Sequence, residues 1–297
     1  MIIPRTDVAQ LLPPPLRLTN AEVTPKGEIQ VASTTAQPMA PATRVPCSTD
    51  SGEEPDIPAV LLRPSCHLEV LIPALNEARR LPHTLMRTVR YLEAQSYSSS
   101  IVVIDNGSVD QTSDLVARTR SERVSVQLTG CAQPGKGAAV RRGLLTSRAR
   151  FVGYMDADLA TPIETLDVVV PLLGHFQAVV GSRRIRGATL AKRQPIHRTV
   201  GGMAFRAMAH RVLPGFADTQ CGFKFLAGDL ARTVVQQMRI DGFAFDVELL
   251  WAITKMGVAV KEVPVVWSDE EGSKLRAIRD GVRATADLRR LAQRRLV

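Results

Sequence analysis

The sequence predicts an α/β protein built on a mostly parallel central sheet flanked by helices. Three observations carry that prediction. Short apolar runs alternate with segments of helical period, the runs end abruptly in Pro, Asn or Asp, and the composition is that of a globular chain. The 297 residues are 45% hydrophobic and 23% charged with mean hydropathy +0.01, which excludes collagen, coiled coil and wholly disordered chains. No apolar run reaches the ~18–20 residues of a membrane-spanning helix, and the first residues lack a signal peptide's unbroken apolar core. A cytoplasmic protein is expected. Cys47, Cys66, Cys131 and Cys221 lie far apart with no CxxC and no His at ligand spacing, so buried free thiols are expected rather than disulfides or zinc.

Residues 1–64 hold 11 of the 19 prolines and no sustained period, and are read as a disordered, Pro-rich N-terminal extension. The pattern changes at Leu68, where an apolar run to Ile72 is stopped by Pro73: a buried parallel strand. From Glu77 to about Gln95, Leu81, Leu85, Val89 and Leu92 form one helical stripe, and Ser98 to Ser100 break it before a second strand at 101–104. The same reading gives a helix at 110–120, a strand at 124–128, a helix at 138–148 and a strand at 151–155 ending at Asp156. A further helix is expected over 203–213. In 277–297 many Arg residues accompany Ile278, Val282, Ala286 and Leu291 at helical spacing, a basic amphipathic helix with one packed and one solvated face. Such a helix also suits an anionic membrane surface.

Charge is uneven. Residues 1–65 carry 5 Lys and Arg against 7 Asp and Glu, so residues 66–297 carry 33 against 22, a surplus of 11. A basic domain suits nucleic acid, anionic lipid or phosphorylated small molecules. Only 4% of residues are aromatic and no stacking platform or helix-turn-helix signature is present, so nucleic acid is not expected.

In a parallel sheet, ligands bind at the C-terminal strand ends. Here the first strand runs into Pro73, Ala74, Asn76 and Glu77, the second into Asp105-Asn106-Gly107-Ser108 and Asp110, and a later one into Asp156-Ala157-Asp158. Asn-Gly turns and a helix-capping Asp are ordinary loop chemistry. Two carboxylates at i and i+2 after a buried strand say more, because both can reach a hard divalent cation on a diphosphate, Mg²⁺ or Mn²⁺ with a nucleotide. Gly130 to Gly137 contains GxxxxGK, but Gly137 stands where a phosphate loop needs Ser or Thr for the metal, which argues against an NTPase. Lys136 can still approach a nucleotide. GxGxxG is absent after the first strand, against a dinucleotide oxidoreductase.

The order Pro73, Asn76-Glu77, Asp105 to Thr112, Gly135-Lys136-Gly137, Asp156-Ala157-Asp158-Leu159, Gly181-Ser182-Arg183, Asp218 to Lys224, Phe245 to Leu249 and Gly272 to Leu275 resembles family 2 glycosyltransferases. The similarity is greatest to the dolichyl- or polyprenyl-phosphate glucosyl- and mannosyltransferase branch, and it covers about residues 67–276. The resemblance implies a GT-A fold over 65–276. It also implies metal-dependent, inverting transfer of a hexose from UDP-glucose or GDP-mannose to a polyprenyl phosphate. On this sequence it places the nucleotide on Pro73, Ala74, Asn76, Glu77 and Asp105, the metal on Asp156 and Asp158, and the sugar near Asp218 and Gln220. Arg183, Arg198 and Lys274 become the basic positions for the acceptor phosphate or for closure over the donor. A phosphate acceptor is already ionised and needs orientation more than a base. Asp246 faces the sugar or serves as base for a hydroxyl acceptor, or it only complements a helix N-terminus. Two departures stand out: Ala160 replaces the Gln many relatives carry after this acidic motif, and a stand-alone form without transmembrane helices is expected. The alternatives are the same donor chemistry with a soluble hydroxyl acceptor, or a silent sugar-nucleotide-binding module.

Overall fold

A computed structural model of the chain describes residues 64–190, 205–268 and 277–294, all within one compact unit that spans Val60–Val297. The Pro-rich extension, Arg198, Lys274 and the 272–275 motif lie outside the described residues.

The sheet begins with β1 (Leu68–Ala74), β2 (Ser99–Asp105), β3 (Val124–Gly130) and β4 (Phe151–Met155), and continues with β5 (Ala178–Ser182), β7 (Phe223–Ala227) and β8 (Val260–Pro264) in the order β3-β2-β1-β4-β7-β5-β8. Four of the six pairings are parallel, while β7 runs antiparallel to both β4 and β5. A separate two-stranded sheet pairs β6 (Thr189–Leu190) with β9 (Val266–Trp267).

Strand side chains alternate between two cores, as the two-residue period demands. Val70, Ile72, Ile101, Val103, Phe151 and Met155 enter one core, against α1 (Leu81–Glu93) and α4 (Leu166–Leu173). Leu71, Val102, Ile104, Val152 and Tyr154 enter the other. There they meet α3 (Lys136–Thr146), helical residues 205–212 (α5), α6 (Gly228–Val235), α7 (Phe245–Lys255) and α8 (Ala277–Arg294). The short α2 (Thr112–Arg118) follows β2.

Two expectations are corrected. Helix α1 begins at Leu81 with Pro82 in its first turn, not at Glu77, because residues 76–78 are hydrogen-bonded to the loop after β2. Helix α3 starts at Lys136 and so includes the Lys of the Gly-rich turn. In α8, Ala284, Leu288 and Leu291 are buried in the core while Arg283, Arg289 and Arg290 are exposed, the packed face and the solvated basic face that the sequence pattern implied.

Candidate active site

The first two strand ends are stapled together by local polar contacts. Asn76, with φ 54° in the left-handed region that Asn tolerates, accepts from the Val109 amide at 2.8 Å, while its own amide donates to Ser108 Oγ at 2.8 Å. The Glu77 amide donates to Thr112 Oγ1 at 2.8 Å, and the Ala78 amide to Asp110 at 3.1 Å. Asp105 accepts from the Ser108 amide at 3.0 Å and from Ser113 Oγ at 3.1 Å. Asn106 reaches across to the next turn, donating to the Cys131 and Gln133 carbonyls and accepting from the Gly135 amide at 2.7 Å. Asp110 and Thr112 thus act as loop staples.

The Gly135-Lys136-Gly137 turn is pressed against the backbone of Asp241. The Gly137 amide donates to the Asp241 carbonyl at 2.8 Å, and a Cβ at Gly135 would lie 2.1 Å from that oxygen. Gly135 also has φ 126°, so a glycine is required there twice over. This contact explains why the position after Lys136 is Gly and not Ser or Thr. A Cβ at Gly137 would stand 2.5 Å from the Ile240 carbonyl. The clamp aims Lys136 at the end of β4, where its ammonium meets Asp156 Oδ1 at 2.5 Å.

Asp156 and Asp158 occupy an irregular turn in which Leu159 has φ 54°, a strained conformation for a branched residue. Asp158 Oδ1 accepts from the Ala160 amide at 3.1 Å, and Oδ2 lies 3.6 Å from the Arg80 guanidinium. Arg80 also clasps Glu77 at 2.6 and 2.7 Å. Gly222, just before β7, lies directly over Asp156, where a Cβ would sit 2.1 Å from Oδ2, so the carboxylate uses the space that a side chain would fill. Burial, then the negative charge of Asp156, raises the Asp158 carboxyl above its ordinary value, against the Ala160 amide, Arg80 and Lys136. Burial pulls the Lys136 ammonium down, but Asp156, Asp246 and Asp158 together outweigh it and hold the group above its ordinary value. Two hard carboxylate oxygens at 34% and 23% side-chain exposure fit a divalent cation whose remaining ligands come from a diphosphate. Among the described residues no group of three His, Cys, Asp or Glu could hold a metal without such a ligand.

Other candidate residues are brought close but already engaged. Asp218, buried, accepts from Arg183 Nε at 2.6 Å and Nη2 at 2.9 Å, and from the Gln220 amide at 3.0 Å. Burial would raise its carboxyl, but Arg183 overrides this and holds it far below the ordinary range. The Arg183 guanidinium, 5.5 Å from the Trp267 ring, is thereby fixed at the end of β5. Asp246 lies in the first turn of α7, where its Oδ1 takes Lys224 Nζ at 2.6 Å and the Tyr154 hydroxyl. Lys224 is fully buried and also donates to the Cys221 carbonyl at 2.6 Å. Glu248, fully buried, holds the Arg239 and Ile240 amides and Arg294 of α8.

The strand ends of β1, β2 and β4 therefore bring Asn76, Glu77, Asp105, Lys136, Asp156 and Asp158 to one edge, with Pro73 and Ala74 closing β1 beside them. Arg183, Asp218 and Gln220 form an adjacent group. Sequence reasoning missed Arg80, Gly222 and Tyr154 as parts of this region. Arg80 had a usable signal, because it stands three residues after Glu77.

An open α/β sheet with a two-carboxylate turn at a strand end fits a nucleotide-sugar transferase of the GT-A fold. The glycosyl transferase family 2 profile matches residues 69–234, and the chain belongs to that family. It is similar to dolichyl-phosphate beta-glucosyltransferases. The Dictyostelium discoideum enzyme is 32% identical over 246 residues, which cover 78% of this chain and 75% of that one. The Mus musculus enzyme is 32% identical over 242 residues, 75% and 74% of the two chains. Among solved structures, glucosyl-3-phosphoglycerate synthase from Mycobacterium tuberculosis in complex with Mn²⁺ and uridine-diphosphate-glucose shares the fold. Its TM-score is 0.60 at 17% identity, covering 77% of this chain and 80% of that one. No helix among the described residues is long and apolar enough to cross a membrane.

Proposed function

We propose that the protein transfers glucose from UDP-glucose to a polyprenyl phosphate with inversion at the anomeric carbon, using Mg²⁺ or Mn²⁺ held by Asp156 and Asp158. The observation that carries this reading is the open carboxylate pair at the end of β4, flanked by Lys136 and Arg80. The naming of the relatives supports glucose over mannose and a lipid phosphate over a soluble hydroxyl. The cation would neutralise the diphosphate as it departs.

The residues divide the remaining work. Pro73, Ala74, Asn76, Glu77 and Asp105 hold base and ribose on the loops stapled by Ser108 and Thr112. Lys136 turns from Asp156 towards the diphosphate oxygens. Arg183, fixed by Asp218, orients the acceptor phosphate with Arg198 and Lys274, and Gln220 contacts the sugar. Because the acceptor arrives ionised, Asp246 is not needed as a base, and its role is to anchor Lys224 under the site. A lipid acceptor places the enzyme peripherally at the cytoplasmic face of a membrane, with the exposed arginines of α8 available to anionic lipid.

The test is a transfer assay with labelled UDP-glucose and polyprenyl phosphate, with and without Mg²⁺ or Mn²⁺, and with GDP-mannose in parallel. Label is expected in organic-extractable product only with UDP-glucose, metal and lipid phosphate, and is expected to be lost in Asp156→Ala. Label passing only to a soluble hydroxyl compound, or to nothing, overturns the reading.

A further inference from the structure

A cleft of about 640 Å³ opens between the turn after β3, helix α3 and the end of α6, away from the Asp156 carboxylate. Three guanidinium groups line it, those of Arg141, Arg142 and Arg239, together with the carboxamides of Gln133 and Gln236, and the lining includes no carboxylate. Its apolar wall combines the buried Val235 and Met238 with the exposed Leu145.

The arginines are underused. Arg141 spends Nη2 on Asp241 at 2.5 Å, while its Nη1 is buried without a hydrogen-bond partner. Arg142 and Arg239 are exposed, and among the described residues neither guanidinium has an ion-pair partner. Guanidinium forks pair bidentately with phosphate oxygens, and a buried N–H without an acceptor favours the arrival of one. The volume lies in the range of small-molecule sites, about 300–1,000 Å³.

We propose that this cleft is a second anion-binding site, separate from the donor site, for a phosphate-bearing ligand with an apolar portion. The phosphate lies on Arg141, Arg142 and Arg239, and the apolar portion covers Leu145 and Met238. The site adjoins the catalytic region through Asp241, whose carboxylate holds Arg141 and Gln133 while its carbonyl holds the Gly137 amide. The inference does not depend on which sugar or acceptor the enzyme uses.

Two probes separate free phosphate from a lipid headgroup: calorimetric titration with inorganic pyrophosphate, and cosedimentation with phosphatidylglycerol–phosphatidylcholine vesicles. Both use the full chain in EDTA, so that no metal bridges pyrophosphate to Asp156 and Asp158. At least one probe is expected to bind wild type and Asp156→Ala/Asp158→Ala alike, and to weaken tenfold or more in Arg142→Ala/Arg239→Ala; Arg142→Lys/Arg239→Lys, which keeps the charge but loses the fork, is expected to fall between them, and circular dichroism serves as the folding control. Pyrophosphate binding with this pattern assigns a free phosphate compound, and vesicle binding alone assigns a headgroup. If neither probe binds, if both bind the Arg142→Ala/Arg239→Ala protein undiminished, or if binding disappears with Asp156 and Asp158, the proposal is overturned.

Discussion

At the end of β4, Asp156 and Asp158 keep 34% and 23% of their side chains exposed beside Lys136 and Arg80, whereas close by Asp246 is 5% exposed and Lys224 is fully buried. The two clusters use the same chemistry, carboxylate against cation, to opposite ends. In the buried one the charges are consumed by one another, since Asp246 meets Lys224 and Tyr154, and Lys224 also meets the Cys221 carbonyl. In the open one each carboxylate retains access to solvent, and two like charges stand together. The comparison teaches that burial and leftover hydrogen-bonding capacity, more than residue type, separate a group that builds the fold from one that meets a ligand.

Breaking the closed cluster is expected to have the largest effect on stability. Lys224→Ala leaves Asp246 buried without its cation and is expected to cost about 3–5 kcal/mol in urea unfolding. Lys224→Met/Asp246→Leu is expected to recover most of that loss, and a single variant as stable as wild type would remove the distinction. Breaking the open cluster is expected to act on chemistry instead. Asp156→Asn or Asp158→Asn should lower the transfer rate by about 10²–10³ through lost charge stabilisation, with little change in thermal midpoint. Gly222→Ala sharpens the contrast, because its Cβ would have to displace Asp156. It is expected to cost about 1–3 kcal/mol by overpacking and to weaken metal-dependent donor binding, measured by calorimetry.

The pH dependence separates the carboxylates further. Asp158 is raised in the fold, so it favours folding when protonated and loses that contribution as pH climbs from the ordinary 3.8 through the higher folded value. Its deprotonated form, the only one able to hold a cation, appears over the same interval. Donor binding with Mn²⁺ is therefore expected to grow with pH through a value above 3.8, and that limb should move to lower pH in Asp156→Asn. Asp218 has the opposite sign: Arg183 holds it low, so its stabilisation is present above the ordinary value and is lost only as pH falls towards the folded one. The smallest effect concerns Cys221, whose thiol burial pushes up to about 11, against Arg183. Native protein at neutral pH is expected to be alkylated at the half-buried Cys66 and Cys131 well before Cys221, as peptide mass mapping would show.

The fold was legible where signals were local. From β1 to β4, apolar runs and helical stripes alternate, and the strand at Phe151–Met155 was placed to the residue. The antiparallel β7 was not legible, because Lys224 interrupts its apolar run and the charge that satisfies it, Asp246, comes 22 residues later. The acidic strand ends were readable as a candidate donor site from Asp156 and Asp158. Their surroundings were less so, since Gly222 reaches Asp156 only through the fold, whereas Arg80 stands three residues after Glu77 and could have been read. In α8 both the arginine stripe and the packed face were visible, and Leu291 of that face lies in the core.

The most direct measurement is Mn²⁺ binding by electron paramagnetic resonance, with and without UDP-glucose, in wild type and in Asp156→Asn/Asp158→Asn. The account predicts that wild type takes up the ion far more tightly when the nucleotide sugar is present, and that the double variant takes up none in either condition while remaining folded by circular dichroism. Undiminished, donor-dependent Mn²⁺ uptake by the folded double variant would contradict it.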